Sequence, residues 1–377
     1  MRLWRYCLAG LLFNWAAFVF WTVLPIRALD FKASSTELAL LPTASSIVYV
    51  LNSLFSGGLS DRISRALLAR ISVVLAVTAC ILAIGAGSLG PLFLIVALMG
   101  FASSVYWPSI QGALGAEAGP ARVEKVIGWF NVSWSIGKTL GFVMGGWLVA
   151  QSAPRTLWLA AASALPILFL YPKDQKTRPE DVHAASALDR AAFRTLGYVV
   201  NFLAFGVGAV FQNQFIKYLE TSRVAPEWDP KVFFGVFLGT VYATQTLLFV
   251  VLQRGAGWTY RRGLLYAAQI LCGGAALATT FLTNDWAILG CGALVGVGLG
   301  FANASSIYYS LHGPSDHGKY AGLHEAIVGA GSFLAPLVGG ALADRTHDLR
   351  SPYWLAGAAM IATIALEEAV YRRSSRS

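Results

Sequence analysis

Residues 137–148, GKTLGFVMGGWL, are matched without a gap by residues 331–342, GSFLAPLVGGAL. The two stretches share glycines at their first, ninth and tenth positions. Similar segments lie upstream of each, at 100–107 (GFASSVYW) and 300–309 (GFANASSIYY). A shared glycine frame predicts an internal repeat, because equivalent helices need small residues at equivalent contacts. The chain is therefore expected to consist of two similar halves.

The composition indicates that a lipid bilayer is the main solvent of this chain. Of its 377 residues, 56% are hydrophobic and 12% are charged, and the mean hydropathy is +0.60. Soluble domains carry roughly a quarter charged residues. The charges fall between apolar runs of about 20 residues, the length of a helix that crosses a bilayer. A water-soluble fold is thus excluded, and the net charge of +9 does not indicate nucleic-acid binding.

Apolar runs and the polar residues between them predict twelve membrane-spanning helices. We expect them at 7–27, 37–56, 67–88, 91–112, 127–150, 155–171, 195–219, 232–253, 263–283, 285–311, 320–342 and 352–370. The prediction is an all-α integral membrane protein with an N-terminal six-helix bundle at 1–171, a cytoplasmic linker at 172–194 and a C-terminal six-helix bundle at 195–377. Since each half has an even number of spans, the two repeats are parallel around a central cavity.

The basic residues predict how the chain is oriented in the membrane. Of 28 Lys and Arg residues, 19 lie on the side of the N-terminus and 7 on the other side, while Lys138 and Lys217 lie within spans. Basic loops remain in the cytoplasm during insertion. Both termini are therefore expected in the cytoplasm, in a multi-pass protein of the cytoplasmic membrane.

A short polar segment follows the second span. Residues 57–66 read GGLSDRISRA, which resembles the G-x-L-A-D-R-x-G-R-R/K signature of the major facilitator superfamily. The resemblance implies a secondary transporter with two six-helix bundles around a cavity that opens alternately to either side. A basic loop beside lipid headgroups is the alternative interpretation. The gating residues that the resemblance implies are Gly57, Asp61, Arg62 and Arg65.

The signature is incomplete in this chain. Ser64 stands where the family usually has glycine, and Ala66 where it usually has a basic residue. The corresponding loop of the second half, 253–262, keeps basic residues and glycines but has no aspartate. A close copy, GALADR at 340–345, ends the eleventh span on the other side of the membrane. It is interpreted either as a coincidence at a helix end or as a latch on that side.

Lys138 is the clearest ionisable residue within a span. It lies near the middle of the fifth span, about 15 Å from the nearer interface, and shares a helical stripe with Asn131 and Trp134. Ionisable groups at this depth usually face protein or a watery cavity. We predict that this stripe contacts the substrate, with snorkelling or a structural ion pair as the alternative for Lys138.

A second candidate site lies near the start of the eleventh span. Glu325 and its neighbour His324 lie about one turn inside the membrane, where a carboxylate can load and release a proton. We predict proton coupling at these residues. The alternative is an interfacial salt bridge between Glu325 and either Lys319 or an arginine of a loop.

The family resemblance also implies that the first and fourth spans of each half line the cavity. The matching polar and aromatic candidates are Asn14, Trp21, Tyr106, Gln111, Gln212, Gln214, Lys217, Asn303 and Ser306. Glycines at 137, 141 and 145 resemble part of the antiporter motif of drug exporters in this superfamily. They lack its Gly-Pro pair and serve helix packing equally well.

Other chemistries find little support. The glycines at 296, 298 and 300 lie within an apolar span, outside any strand–loop–helix unit, so nucleotide binding is not indicated. The histidines lack a recognised metal-ligand spacing, and no metal or cofactor is expected. We predict proton-coupled efflux of a drug or metabolite by a monomer that needs only substrate, protons and lipid. Uptake or facilitated passage of a sugar or organic anion is the alternative, and a membrane receptor or enzyme is a third class.

Overall fold

The chain forms an all-α bundle in its computed structural model, which describes residues 3–118, 123–171, 188–222, 224, 227–255, 257–311 and 317–374. The helices are α1 (Leu3–Asp30), α2 (Ser35–Arg62), α3 (Arg65–Gly85), α4 (Leu89–Ala118), α5 (Val123–Gln151), α6 (Ala153–Ala164), α7 (Ile167–Leu170), α8 (Leu188–Ser222), α9 (Pro230–Leu252), α10 (Arg262–Thr279), α11 (Asp285–Leu311), α12 (His317–Thr346) and α13 (Ser351–Ser374).

These helices correspond to the twelve predicted spans, because α6 and α7 form one span that is interrupted at Leu165 and Pro166. Within the described residues, eight spans are long and apolar enough to cross a membrane by length and composition alone. The predicted all-α membrane fold is therefore confirmed. Several helices extend beyond their apolar runs. Thus α8 begins at Leu188, inside the predicted linker, and residues 172–187 of that linker lie outside the described part of the chain.

Twelve crossings place both chain ends on one side of the bilayer. We call this side the terminal face and the other side the opposite face. Contacts between helix ends agree with this assignment, since Arg262 at the start of α10 pairs with Glu368 near the end of α13 at 3.2 Å. Likewise, Tyr6 of α1 lies 6.4 Å, ring to ring, from Tyr171 after α7.

The glycine frame of the repeat forms equivalent contacts in the two halves. Gly137 of α5 lies against the backbone carbonyl of Leu11 in α1, and Gly331 of α12 lies against that of Phe202 in α8. A Cβ at either glycine would clash with the facing backbone. The internal repeat that the glycines predicted thus corresponds to two matching helix pairs, α1–α5 and α8–α12.

The last glycine of each frame joins the two halves. A Cβ on Gly146 of α5 would lie 2.7 Å from the Cα of Gly235 in α9, and one on Gly340 of α12 would lie 2.5 Å from the carbonyl oxygen of Ser35 in α2. The halves therefore meet closely along α5–α9 and α2–α12, toward the opposite face. Small residues permit this approach because backbone can pack on backbone.

The departure at Ser64 has a local structural role. Its hydroxyl accepts a hydrogen bond from the backbone N–H of Leu67 at 3.2 Å and thereby caps the N-terminus of α3. Glycine at this position would leave that N–H without the side-chain acceptor. Ser64 therefore caps α3, which begins at Arg65.

Candidate functional site

A cavity of about 1460 Å³ lies between the two halves. The predicted site residues that line it are Asn14, Trp21, Gln111, Asn131, Trp134, Lys138, Gln212, Asn303, His324 and Glu325. The repeat equivalents of Asn131 and Lys138 are Glu325 and Ser332, and both of these also line the cavity. Related stripes on α5 and α12 therefore face each other across the space between the halves.

The cavity is open toward the terminal face. Its lining extends to Gln253, Arg254 and Gly255, which follow α9 at that face. Toward the opposite face, the lining includes Trp21 of α1 and Gln212 of α8, more than a turn before either helix ends. None of the described loop residues at the opposite face contributes to the lining. The described lining thus reaches the terminal face and ends before the opposite face.

Lys138 lies in an aromatic cage on the cavity wall. Its Nζ is 4.2 Å from the ring centroid of Phe18 and 3.7 Å from that of Tyr242. Phe142 stacks on Tyr242 with centroids 5.1 Å apart and holds that ring in place. Within the described residues, no carboxylate lies within 4.0 Å of the ammonium group. The cation is therefore held by π faces rather than by an ion pair.

Aromatic rings continue along the wall from Lys138 toward the mouth. Trp134 donates its indole N–H to Oδ1 of Asn131 at 2.9 Å, which fixes the orientation of the ring. Trp107 of α4 and Phe249 of α9 contact Trp134 edge to face, at 5.8 and 6.2 Å between centroids. The predicted polar-aromatic stripe is thus part of a wall formed by both halves, able to hold a flat apolar molecule.

Glu325 connects the two halves within the cavity. Its Oε2 accepts a hydrogen bond from the hydroxyl of Tyr49 in α2 at 3.1 Å. The adjacent His324 is buried, with Nδ1 at 2.8 Å from the hydroxyl of Ser306 in α11. The side chain of Lys319, the predicted alternative partner, lies outside the described residues. A change in the charge of Glu325 acts directly on a contact between the halves.

The opposite face is closed by a group of contacts that we call the latch. Asp344, near the end of α12, accepts hydrogen bonds from the backbone N–H groups of Ser35 and Thr36 at 2.9 and 2.8 Å. These groups begin α2 in the other half, so a carboxylate caps a helix N-terminus in trans. Two residues of α8 add bonds, from Gln214 to Ser35 O at 2.9 Å and from Lys217 to Ala33 O at 3.3 Å.

The latch changes the assignment of several candidates. Gln214 and Lys217 were expected on the cavity wall, but they bind backbone carbonyls at the opposite face. Tyr106 does not line the cavity either. Its ring is fully buried and stacks on Phe13, with centroids 3.7 Å apart, so Phe13 stands between it and the cavity. The family resemblance had indicated Tyr106 as a candidate on the fourth span but could not show which ring covers it.

The signature segment is described only in part. Residues 57–62 form the last turns of α2, and the side chains of Asp61 and Arg62 lie outside the described residues. Arg65 begins α3 at the terminal face, where it is partly exposed. The gating role of Gly57, Asp61, Arg62 and Arg65 stays a prediction.

Two groups that the sequence did not single out belong to the site. Tyr49 supplies the bond to Glu325, and the rings of Phe18 and Tyr242 enclose Lys138. The only available signal was a polar or aromatic residue inside a span, which many tyrosines and phenylalanines in this chain share. Tyr49, Phe18 and Tyr242 each contact a residue of a helix that is distant in sequence, so the contact is not visible in the local sequence.

Two similar halves, a large cavity between them and one closed face define a transporter that works by alternating access. The sequence matches the family profile described as Major Facilitator Superfamily over residues 6–277 and 260–376. The chain belongs to this superfamily and is a secondary transporter of small solutes, as the resemblance of residues 57–66 predicted.

Individual relatives agree with this assignment. Quinolone resistance protein NorA of Staphylococcus aureus (strain COL) is 22% identical over 364 residues, which cover 91% of this chain and 90% of that protein. A bacterial homologue of the human lysosomal transporter Spinster, inward-facing and unoccupied, has a TM-score of 0.71 at 13% identity, covering 100% of this chain and 96% of that one. A variant of the nucleoside transporter NupG has a TM-score of 0.75 at 14% identity, with 98% and 99% covered.

Proposed function

We propose that the protein exports a small, largely aromatic organic compound from the cytoplasm in exchange for protons. The observation that carries this proposal is Glu325, a carboxylate in the cavity that bonds to Tyr49 of the other half. The resistance protein with which the chain aligns over nine-tenths of its length supports export of a drug-like compound. The aromatic wall around Trp134 suits such a substrate.

The exchange follows because the substrate and the proton occupy the same cavity in turn. When the cavity is open to the cytoplasm, Glu325 releases its proton and substrate enters. The loaded protein then opens at the opposite face, where a proton binds Glu325 and substrate leaves. The protonated carboxyl of Glu325 carries no charge, so the protein without substrate returns to the state open to the cytoplasm at a lower electrostatic cost. His324 is the neighbouring group through which a proton reaches or leaves Glu325.

We further propose that 1–171 and the residues from α8 onward are the two moving units, in a monomer of the cytoplasmic membrane with both termini in the cytoplasm. The support is the close packing of Gly137 and Gly331, the first glycine of each frame, within its own half, and the excess of basic residues at the terminal face. Transport rather than catalysis is the proposed activity, since the relatives are transporters.

The orientation predicts opposite labelling of two exposed positions. In a variant without the native cysteines, Ile63→Cys lies at the terminal face and Glu227→Cys at the opposite face. In intact cells, a membrane-impermeant maleimide should label Glu227→Cys and leave Ile63→Cys unlabelled until the membrane is opened. Immediate labelling of Ile63→Cys together with protection of Glu227→Cys would reverse the proposed orientation.

The proposed function is tested in proteoliposomes suspended in a solution of a fluorescent quinolone. Acidifying the lumen creates an outward proton gradient, and the protein should concentrate the quinolone in the lumen while protons leave. A gradient of about one pH unit supports at most about a tenfold concentration ratio for one-to-one exchange. If the flux of quinolone neither responds to the pH gradient nor moves protons, proton-coupled export is wrong for this compound. The same test is then applied to a panel of dyes and metabolites.

Facilitated passage or uptake of an organic anion is the second candidate. The observation that favours it is Lys138, a buried cation without a carboxylate partner among the described residues. The two candidates differ in energy coupling. Facilitated passage equilibrates the solute across the membrane without moving protons. Export by exchange moves protons and concentrates the solute.

A further inference from the structure

The cage around Lys138 holds an ammonium group to which the described residues bring no carboxylate. Lys138 is 8% exposed and lies in the middle of α5. Removing an ammonium group from water is costly unless an opposite charge or several hydrogen bonds compensate it. The rings of Phe18 and Tyr242 compensate part of this cost through cation–π contacts, which are weaker than an ion pair in such a site.

The described carboxylates within the membrane are engaged elsewhere. Glu325 accepts the hydroxyl of Tyr49, and Glu367 of α13 accepts the side-chain amide of Gln269 at 2.7 Å. Neither forms an ion pair with Lys138. The remaining side of Lys138 faces the cavity. No described residue supplies a negative charge to this cation in this state, so a molecule inside the cavity can supply it.

The charges of the described lining favour an anion. Lys138 and Arg254 are basic, and Glu325 is the carboxylate among the described lining residues. Arg254 lies at the mouth and Lys138 deep in the wall, so an anion entering from the terminal face passes one cation and ends at the other. Convergent charge of one sign raises the local concentration of the opposite ion.

We propose that the substrate carries one anionic group, a carboxylate or sulfonate, that pairs with Lys138 while its aromatic body lies against Trp134 and Phe249. This proposal rests on the proposed transport function and names the substrate class. It also assigns anion binding and proton binding to different residues. Lys138 holds the anion, and Glu325 carries the proton that is exchanged for it.

The test compares two ligands of the same shape and different charge. Binding of naphthalene-2-carboxylate and of naphthalene-2-carboxamide to the purified full chain is measured by isothermal titration calorimetry at neutral pH. A charge-assisted pair with Lys138 should make the carboxylate bind about 10- to 100-fold more tightly than the amide. Lys138→Gln should remove this preference and change binding of the amide by less than about threefold.

Two variants separate pairing from general damage. Lys138→Arg retains the charge and should keep part of the preference for the carboxylate, with altered geometry. Lys231→Gln removes a lysine from the N-terminus of α9, outside the cavity lining, and should bind both ligands like the wild type. Size-exclusion chromatography confirms that each variant is folded.

Three results overturn the inference. The first is equal affinity of wild-type protein for the carboxylate and the amide, and the second is failure to bind the carboxylate at all. The third is retention of the carboxylate preference in Lys138→Gln, which would leave Lys138 as a packing residue or a proton carrier. Proton-driven export of the cationic dye ethidium by the same preparation shows whether the substrate class or proton-coupled export is wrong. If ethidium is exported and the carboxylate is not bound, the substrate class is wrong and proton-coupled export stands.

Discussion

Glu325→Gln is expected to abolish proton-driven concentration of substrate while preserving exchange of substrate for substrate. Glutamine keeps the shape of the side chain and can still accept the hydroxyl of Tyr49, but it cannot bind or release a proton. In proteoliposomes with a gradient of about one pH unit, a wild-type concentration ratio of up to about tenfold should fall to one. Counterflow of labelled substrate measures the retained exchange.

Glu367→Gln is the matched control for this experiment. Glu367 is also a buried carboxylate of the C-terminal half, but it bonds to Gln269 and does not line the cavity. Its replacement should leave the pH-driven ratio unchanged. If Glu325→Gln still concentrates substrate with wild-type pH dependence, Glu325 does not carry the proton, and His324→Gln is the next variant to test.

The second large effect is expected at the latch. Asp344→Asn removes the negative charge that caps α2 from the other half and leaves one carbonyl oxygen for the two N–H groups of Ser35 and Thr36. Loss of a charge-assisted bond costs about 1–3 kcal/mol, which shifts the populations of the two open states on the order of 5- to 100-fold. The state open to the opposite face should become more populated, because the latch exists only when that face is closed.

Accessibility of the cavity measures this shift. In a variant without the native cysteines, Gln212→Cys places a thiol on the cavity wall, on the side toward the opposite face. An impermeant maleimide added at the opposite face should label this thiol faster after Asp344→Asn. Asp348→Asn removes the same charge from the turn after α12, where Asp348 pairs with Arg350 and does not bridge the halves, and should not accelerate labelling.

Equal labelling rates in wild type and Asp344→Asn would show that the capping bonds do not hold the opposite face closed. The closure would then rest on backbone packing at Gly146 and Gly340. Gly340→Ala tests that case directly, since an added Cβ would lie 2.5 Å from the carbonyl oxygen of Ser35.

Much of the architecture was predictable from local sequence, because the bilayer imposes strong one-dimensional constraints. A span requires about 20 apolar residues, and a polar residue within it is costly, so apolar runs together with the polar residues between them predicted the twelve helices. Glycine spacing likewise predicted the repeat, since a close helix contact needs a small residue at each crossing. The same cost explains why Lys138 and Glu325 were identified as site candidates, and both line the cavity.

Contacts between distant helices could not be predicted in this way. Tyr49 meets Glu325, and Asp344 meets Ser35, across 276 and 309 residues of sequence. Nothing in either segment encodes its partner, because the pairing depends on how the two halves pack in one state of the cycle. Tyr106 shows the same limit within one half, where a neighbouring ring rather than its own helix decides what it faces. Membrane depth is a property of the local sequence, whereas burial behind a ring, capping in trans and closure of one face depend on the assembled bundle.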